Sequence, residues 1–145
     1  FDNDVTAKRG TTNHGTFLAN DINIENLQDN NHWVILQVID NTCDSLCQDN
    51  MYMLRQINTA LGKDMDRVKR YLLWNNTQKN TVNIEKYPKL IVLDKPETLY
   101  NSLTKMDERI FIADPFGKII LGYDNDFVAK GLLKDLKKLL KFSRR

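Results

Sequence analysis

The sequence predicts a single α/β domain in which helices flank a central mixed β-sheet. A nearly continuous β-branched run at 33–39 leads directly into a helical pattern of apolar residues, as in a buried strand followed by a helix. Two short apolar runs flank the Pro/Gly turn at 114–117, which indicates a β-hairpin. The last apolar stripe, over 127–140, recurs at helical spacing with lysines opposite, which predicts a docked amphipathic helix.

The first half of the chain predicts a βαβ unit behind a polar lead-in. Residues 1–31 are rich in Asn, Asp, Thr and Gly, and we expect an extended lead-in there, in which the apolar residues between 17 and 27 could form short strands. The strand at 33–39 ends in an Asp-Asn-Thr signature that starts a helix. That helix is predicted over about 44–61, because Gly62 is a typical residue just past a helix end. A second strand follows at 68–74.

The second half predicts a third strand, the hairpin and the closing helix. The strand at 89–94 is entered through a proline, and a second proline opens a short helix at 96–103. The hairpin strands are 109–113 and 118–122. A βαβ unit followed by a hairpin and a helix is the thioredoxin topology, so we expect a thioredoxin-like fold over 1–145. The right-handed crossover then puts the loop after the first strand at the carboxyl end of a central strand.

Composition restricts the possible partners. The 145 residues carry 21 basic and 19 acidic side chains, a net charge of +2, so neither a nucleic acid nor an anionic membrane is implied. Hydrophobic residues make up 41% of the chain, enough for one core. No apolar run approaches the length of about 18 residues that spans a bilayer. The chain begins at Phe1 rather than Met, and we expect it to be the soluble part of a longer, membrane-anchored protein.

The two cysteines of the chain form a C-x-x-x-C motif at the predicted strand-to-helix junction. Cys43 and Cys47 would share one face of a first helical turn, where the helix N-terminus lowers thiol pKa values. Two converging thiolates favour Cu(I), with Zn(II) as an alternative, and both would need a further ligand. The pair could instead form a disulfide and act in redox chemistry. A third interpretation is two buried small hydrophobes, as free cysteines often are. We favour metal binding over redox chemistry.

The motif and its surroundings resemble the SCO/SenC family over roughly residues 17–142. The shared features are the apolar strand, the C-x-x-x-C motif, the following helix and the hairpin Ile110-Phe-Ile-Ala-Asp-Pro-Phe-Gly-Lys118. This resemblance implies a membrane-anchored, thioredoxin-like factor of cytochrome c oxidase assembly, in which two cysteines and a histidine bind copper. The implied partner is an oxidase subunit or another copper or thiol protein. The implied location is the periplasmic face of the bacterial inner membrane, and we expect a monomer.

The sequence departs from the family pattern at two positions, as in a divergent bacterial branch. Met106 stands where the family has its histidine, and Asp44 replaces the proline after the first cysteine. A thioether is a soft Cu(I) ligand, so the candidate copper ligands are Cys43, Cys47 and Met106. Alternatively, the pair acts as a redox couple on another client, or the domain is a non-catalytic assembly scaffold.

Neither histidine is a good third ligand. His32 directly precedes the central strand, and seven residues at about 3.3 Å each put it roughly 20 Å from the cysteine loop. His14 lies in the lead-in and fits an exposed turn.

Overall fold

The computed structural model describes residues 14–18, 21–24, 31–40, 42–74, 82–93 and 97–143. Within these ranges six strands form one sheet in the order β1-β6-β5-β2-β3-β4. The strands are β1 (Thr16–Phe17), β2 (Trp33–Val38), β3 (Val68–Leu73), β4 (Ile91–Val92), β5 (Ile110–Ala113) and β6 (Ile119–Tyr123). β2, β3 and β4 are parallel, whereas β5, β6 and β1 join antiparallel on the other side of β2. The predicted mixed sheet is confirmed.

In the described ranges, three α-helices connect and close the sheet. They are α1 (Ser45–Ala60), α2 (Glu97–Thr104) and α3 (Ala129–Phe142), and their ends agree with the predicted ones within two residues. Gly62 follows α1 with a φ of +62°, a left-handed conformation that costs glycine little, and the helix ends there as predicted. Two 3₁₀ helices, at Gly62–Arg67 and Ile84–Lys86, were not expected from the sequence.

One predicted strand is shorter in the structure, and the lead-in is described only in part. The strand expected at 89–94 is only the two residues of β4, and its last predicted residue lies outside the described ranges. Much of the lead-in at 1–31 also lies outside them. Its described part pairs with the sheet at Thr16↔Gly122 and Phe17↔Leu121, so a short strand, one of the two forms expected for the lead-in, is present.

The core lies on both faces of β2, all six residues of which are buried. Successive side chains of a strand point to opposite faces. Ile35 therefore packs on the face covered by Leu54 of α1 and Leu136 of α3. Leu36 packs on the opposite face with Leu103 of α2. Among the described helices, none is both long and apolar enough to cross a membrane.

Candidate redox and metal site

The start of α1 brings the two cysteines together. Asp44 is the N-cap of α1, and its carboxylate accepts a hydrogen bond from the backbone N–H of Cys47 at 2.9 Å. Cys43 therefore precedes the helix, and the Gln48 side chain donates to its carbonyl oxygen at 3.1 Å. The expectation that both cysteines lie in one helical turn was wrong for Cys43. The capping turn, rather than the helix repeat, brings its sulfur to Cys47.

The two cysteines form a disulfide. Their Sγ atoms are 2.07 Å apart and their Cα atoms 5.0 Å apart. The sequence left open a metal site, a disulfide and two buried free cysteines, and the structure shows the disulfide. Metal binding by this pair would require the reduced form, because thiolates are the ligands.

The disulfide is buried. Cys43 is 4% exposed and Cys47 8% exposed, within an apolar cluster on the α1 face of the sheet. The other buried members of this cluster, called here the cysteine cluster, are Ile39, Met51, Leu72, Trp74 and Tyr87. Val82, Ile84 and Leu90 pack against it from the segment before β4. The two cysteines are therefore buried, as expected for small hydrophobic residues, and are also joined by the disulfide expected for a redox pair.

A third sulfur lies beside the pair. Met51 Sδ is 3.9 Å from Cys43 Sγ, and Met51 is only 3% exposed. Met51 stands one helical turn beyond Cys47 on α1, so Cys43, Cys47 and Met51 follow a four-residue spacing. Two thiolates and a thioether are the soft donors that Cu(I) prefers, so the residues present fit this ion. Sequence reasoning missed Met51, although its spacing from Cys47 was a usable signal.

A buried amide adjoins the disulfide. The Gln37 side chain, 3% exposed, donates from Nε2 to the carbonyl oxygen of Cys47 at 3.2 Å. The same nitrogen lies 3.7 Å from Cys47 Sγ. An N–H group at this position favours negative charge on the sulfur once the bond is reduced. The signal in the sequence is the one amide that interrupts the apolar run of β2.

Met106 lies in the loop between α2 and β5. Arg109 attaches this loop to the carboxyl end of β2 through a 2.6 Å salt bridge to Asp40 and a hydrogen bond to the Met106 carbonyl oxygen. The Met106 side chain, however, packs half-buried against the core cluster that contains Leu36, on the face of the sheet opposite the cysteine cluster. Ligation by Met106 stays a prediction.

The histidines lie apart from the cysteine cluster. His14 approaches Gly131 of α3, and its backbone N–H donates to the Asp135 carboxylate. His32 precedes β2, at the end of the sheet opposite the cysteines. In the described part of the chain, no three His, Cys, Asp or Glu side chains are grouped so as to hold a metal ion.

Comparisons with known proteins agree with this architecture. A family model described as "Transmembrane-like, thioredoxin-like, C-terminal domain" matches residues 33–143, which is 111 of the 145 residues. No curated protein matches the chain.

Several solved structures have a similar fold. The thioredoxin domain of a thiol-disulfide oxidoreductase from Bacteroides vulgatus is 18% identical, with a TM-score of 0.53 over 76% of this chain and 80% of that one. A thiol:disulfide interchange protein from Bacteroides sp. is 16% identical, with a TM-score of 0.57 over 80% of this chain and 78% of that one. ScoI of Bradyrhizobium japonicum with copper bound is 16% identical, with a TM-score of 0.51 over 74% of this chain and 84% of that one. The predicted thioredoxin-like fold is confirmed.

Proposed function

The chain belongs to the transmembrane-like, thioredoxin-like, C-terminal domain family, and we propose that its Cys43–Cys47 pair is a reversible dithiol–disulfide couple whose reduced form carries Cu(I). The observation that carries this proposal is the disulfide at the β2–α1 junction with the Met51 thioether beside it. Cu(I) is the cargo in this proposal. The chain's own residues supply a soft, water-poor binding site for it.

Reduction must come before metal binding. A reducing dithiol gives two electrons and two protons to the disulfide, which produces the Cys43 and Cys47 thiols and leaves the reductant as a disulfide. Binding of Cu(I) then releases the thiol protons, because a thiolate is the ligand. Burial favours Cu(I) retention, since water cannot compete for the metal inside the cysteine cluster.

We further propose an SCO-like role in cytochrome oxidase assembly. The client would be an oxidase subunit or another copper or thiol protein. The domain would face the periplasm from an anchor outside this chain. The support is the SCO-like sequence pattern, the copper-bound ScoI among structures of similar fold, and the description of the matching family as transmembrane-like.

The second candidate is thiol-disulfide exchange on another client. It is favoured by the disulfide itself and by the thiol-disulfide proteins among the similar folds. In this case the Cys43–Cys47 thiols pass two electrons and two protons to a client disulfide, which becomes a dithiol while Cys43 and Cys47 rejoin. The third candidate, a non-catalytic scaffold, requires that replacing both cysteines leaves oxidase maturation in cells unchanged.

Anaerobic Cu(I) titration of the reduced protein against a chromophoric competitor tests the copper proposal. We expect one Cu(I) per chain and loss of this binding in Cys43→Ser. Met51→Leu should weaken Cu(I) binding by roughly tenfold or more, as loss of a metal-supporting group does. Met106→Leu is the matched variant, and the methionine whose loss weakens binding is the third ligand.

Absence of stoichiometric Cu(I) binding by the reduced wild type would overturn the copper proposal. A redox-buffer titration then decides between the remaining candidates. A reversible two-electron transition of Cys43–Cys47 supports thiol-disulfide exchange, whereas a bond that does not equilibrate with the buffer supports the scaffold.

A further inference from the structure

A basic cleft lies at the end of the sheet opposite the disulfide. It has a volume of about 720 Å³ and opens between the second half of α1, the first residues of β3 and the segment before β4. Its twelve lining residues include five basic side chains, His32, Arg55, Lys69, Arg70 and Lys89, and one carboxylate, Asp66. The chain as a whole is nearly neutral, so this excess of positive charge is local.

Arg70 is the buried member of this group. It lies in β3, is 6% exposed and lines the cleft. In the described part of the chain its guanidinium has no hydrogen bond and no ion pair. A buried cation without a counter-charge is strongly destabilising, even after local relaxation. Burial is the largest cause that lowers the pKa of Arg70, and the positive charge of Arg55 lowers this pKa further. Tyr87 raises it by a smaller amount.

Arg55 holds a second guanidinium at the same cleft. Its Cζ lies 5.0 Å from the ring centroid of Tyr87 and 5.3 Å from that of Tyr52. Nη1 donates to the carbonyl oxygen of Lys86 at 3.1 Å. None of these groups is a carboxylate, so the aromatic rings and the carbonyl fix the position of Arg55 without neutralising it. The two guanidinium groups thus repel each other at one site. Asp66 also lines the cleft, but among the described residues neither Arg55 nor Arg70 forms an ion pair with a carboxylate.

We propose that this cleft is a binding site for an oxyanion, a phosphate or carboxylate group, with Arg70 as its central ligand and Arg55 and Lys89 as further ligands. A guanidinium presents paired N–H donors that match two oxygens of a phosphate or a carboxylate. An anion at this position compensates the buried charge of Arg70 and removes its repulsion from Arg55. This site does not involve the cysteines, so the oxyanion proposal can be tested independently of the copper proposal.

Thermal unfolding with increasing inorganic phosphate, and separately with citrate, at constant ionic strength tests the site. We expect a saturable rise in Tm for the wild type. Arg70→Met should weaken the apparent affinity at least tenfold, since it removes the charged hydrogen-bond donors that bind the anion. Lys89→Gln should weaken it less. Lys134→Gln removes the same charge from an exposed position on α3 and should leave the affinity unchanged.

The anion dependence identifies the ligand. Saturation by phosphate alone assigns a phosphate-bearing ligand, saturation by citrate alone a carboxylate-bearing one, and saturation by both a general oxyanion site. Without added anion, Arg70→Met should be at least as stable as the wild type, because the substitution removes an uncompensated charge. If Arg70→Met fails to fold, the test becomes a comparison of apparent anion affinity between Lys89→Gln and Lys134→Gln. A wild type with no saturable response, or variants indistinguishable from Lys134→Gln, would overturn the proposal.

Discussion

A buried carboxylate on α3, Asp135, holds the start of the described chain against the closing helix. Asp135 is fully buried and accepts hydrogen bonds from the Tyr123 hydroxyl at 2.6 Å and from the backbone N–H groups of His14 and Gly15 at 2.9 and 2.8 Å. Buried charges persist when hydrogen bonds replace water in this way. The segment before β1, strand β6 and helix α3 therefore meet at one side chain.

Tyr123 makes the stability of the protein sensitive to alkaline pH. Burial, together with the hydrogen bond to Asp135, raises the pKa of Tyr123 far above its ordinary value of 10.0. A phenol whose folded-state pKa is raised contributes stability below its unfolded pKa, and this contribution is lost as the pH rises beyond it. We therefore expect the wild-type free energy of unfolding to fall above pH 10, and Tyr123→Phe to show a shallower fall.

Urea denaturation at a series of pH values from 8 to 11 measures this slope. At pH 8, Tyr123→Phe should cost about 1–2 kcal/mol, since Asp135 loses one hydrogen bond in the interior. Tyr52→Phe, at a position 48% exposed, is the control for loss of one phenol. Parallel slopes for the wild type and Tyr123→Phe would contradict this prediction.

The first turn of α1 is the element that shapes the cysteine site. Asp44 caps the helix through the backbone N–H of Cys47, and the Gln48 side chain returns to the carbonyl oxygen of Cys43. The residue that replaces the proline of the SCO pattern therefore has a definite structural role. It fixes the backbone of one cysteine relative to the other.

Replacing the cap should weaken this element. Asp44→Ala is expected to lower the free energy of unfolding by about 1 kcal/mol, the usual cost of losing an N-cap. Asp44→Asn keeps an oxygen that can accept the same hydrogen bond, so it should stay close to the wild type. Chemical denaturation of the oxidised proteins measures both. Equal losses in the two variants would mean that the charge of Asp44, rather than its cap, stabilises α1.

At the scale of the whole molecule, the disulfide shares its buried cluster with the described segment 82–90 before β4. Tyr87, which is 7% exposed, belongs to the cysteine cluster, and the same ring stacks with Arg55 on α1. Both cysteines are buried, so we expect this segment to cover the sulfurs and a reductant or client to displace it before reaching them. Redox exchange is therefore coupled to a local opening of the segment that holds Tyr87.

Removing the Tyr87 side chain should expose the disulfide. Tyr87→Ala is expected to raise the rate of reduction by dithiothreitol roughly tenfold, which corresponds to about 1.4 kcal/mol less opening free energy. Tyr52→Ala is the matched control, because Tyr52 also stacks with Arg55 but is exposed and lies outside the cysteine cluster. Equal acceleration in both variants would attribute the effect to Arg55 rather than to the cover over the sulfurs.

Local patterns in the sequence determined the helices and strands and the position of the cysteine site between β2 and α1. The β-branched run predicted β2, Gly62 predicted the end of α1, and the C-x-x-x-C motif predicted that the two cysteines could pair at the start of α1. These signals work because periodicity, capping and backbone freedom depend on residues close together in the chain.

Only the tertiary structure decided the surroundings of the pair. It placed Met51 beside Cys43, Tyr87 in the same buried cluster as the disulfide, and Met106 against the opposite face of the sheet. It also brought Arg55 and Arg70, which belong to different elements, to one cleft. Such contacts depend on which faces of distant elements pack together, and no local pattern specifies that packing.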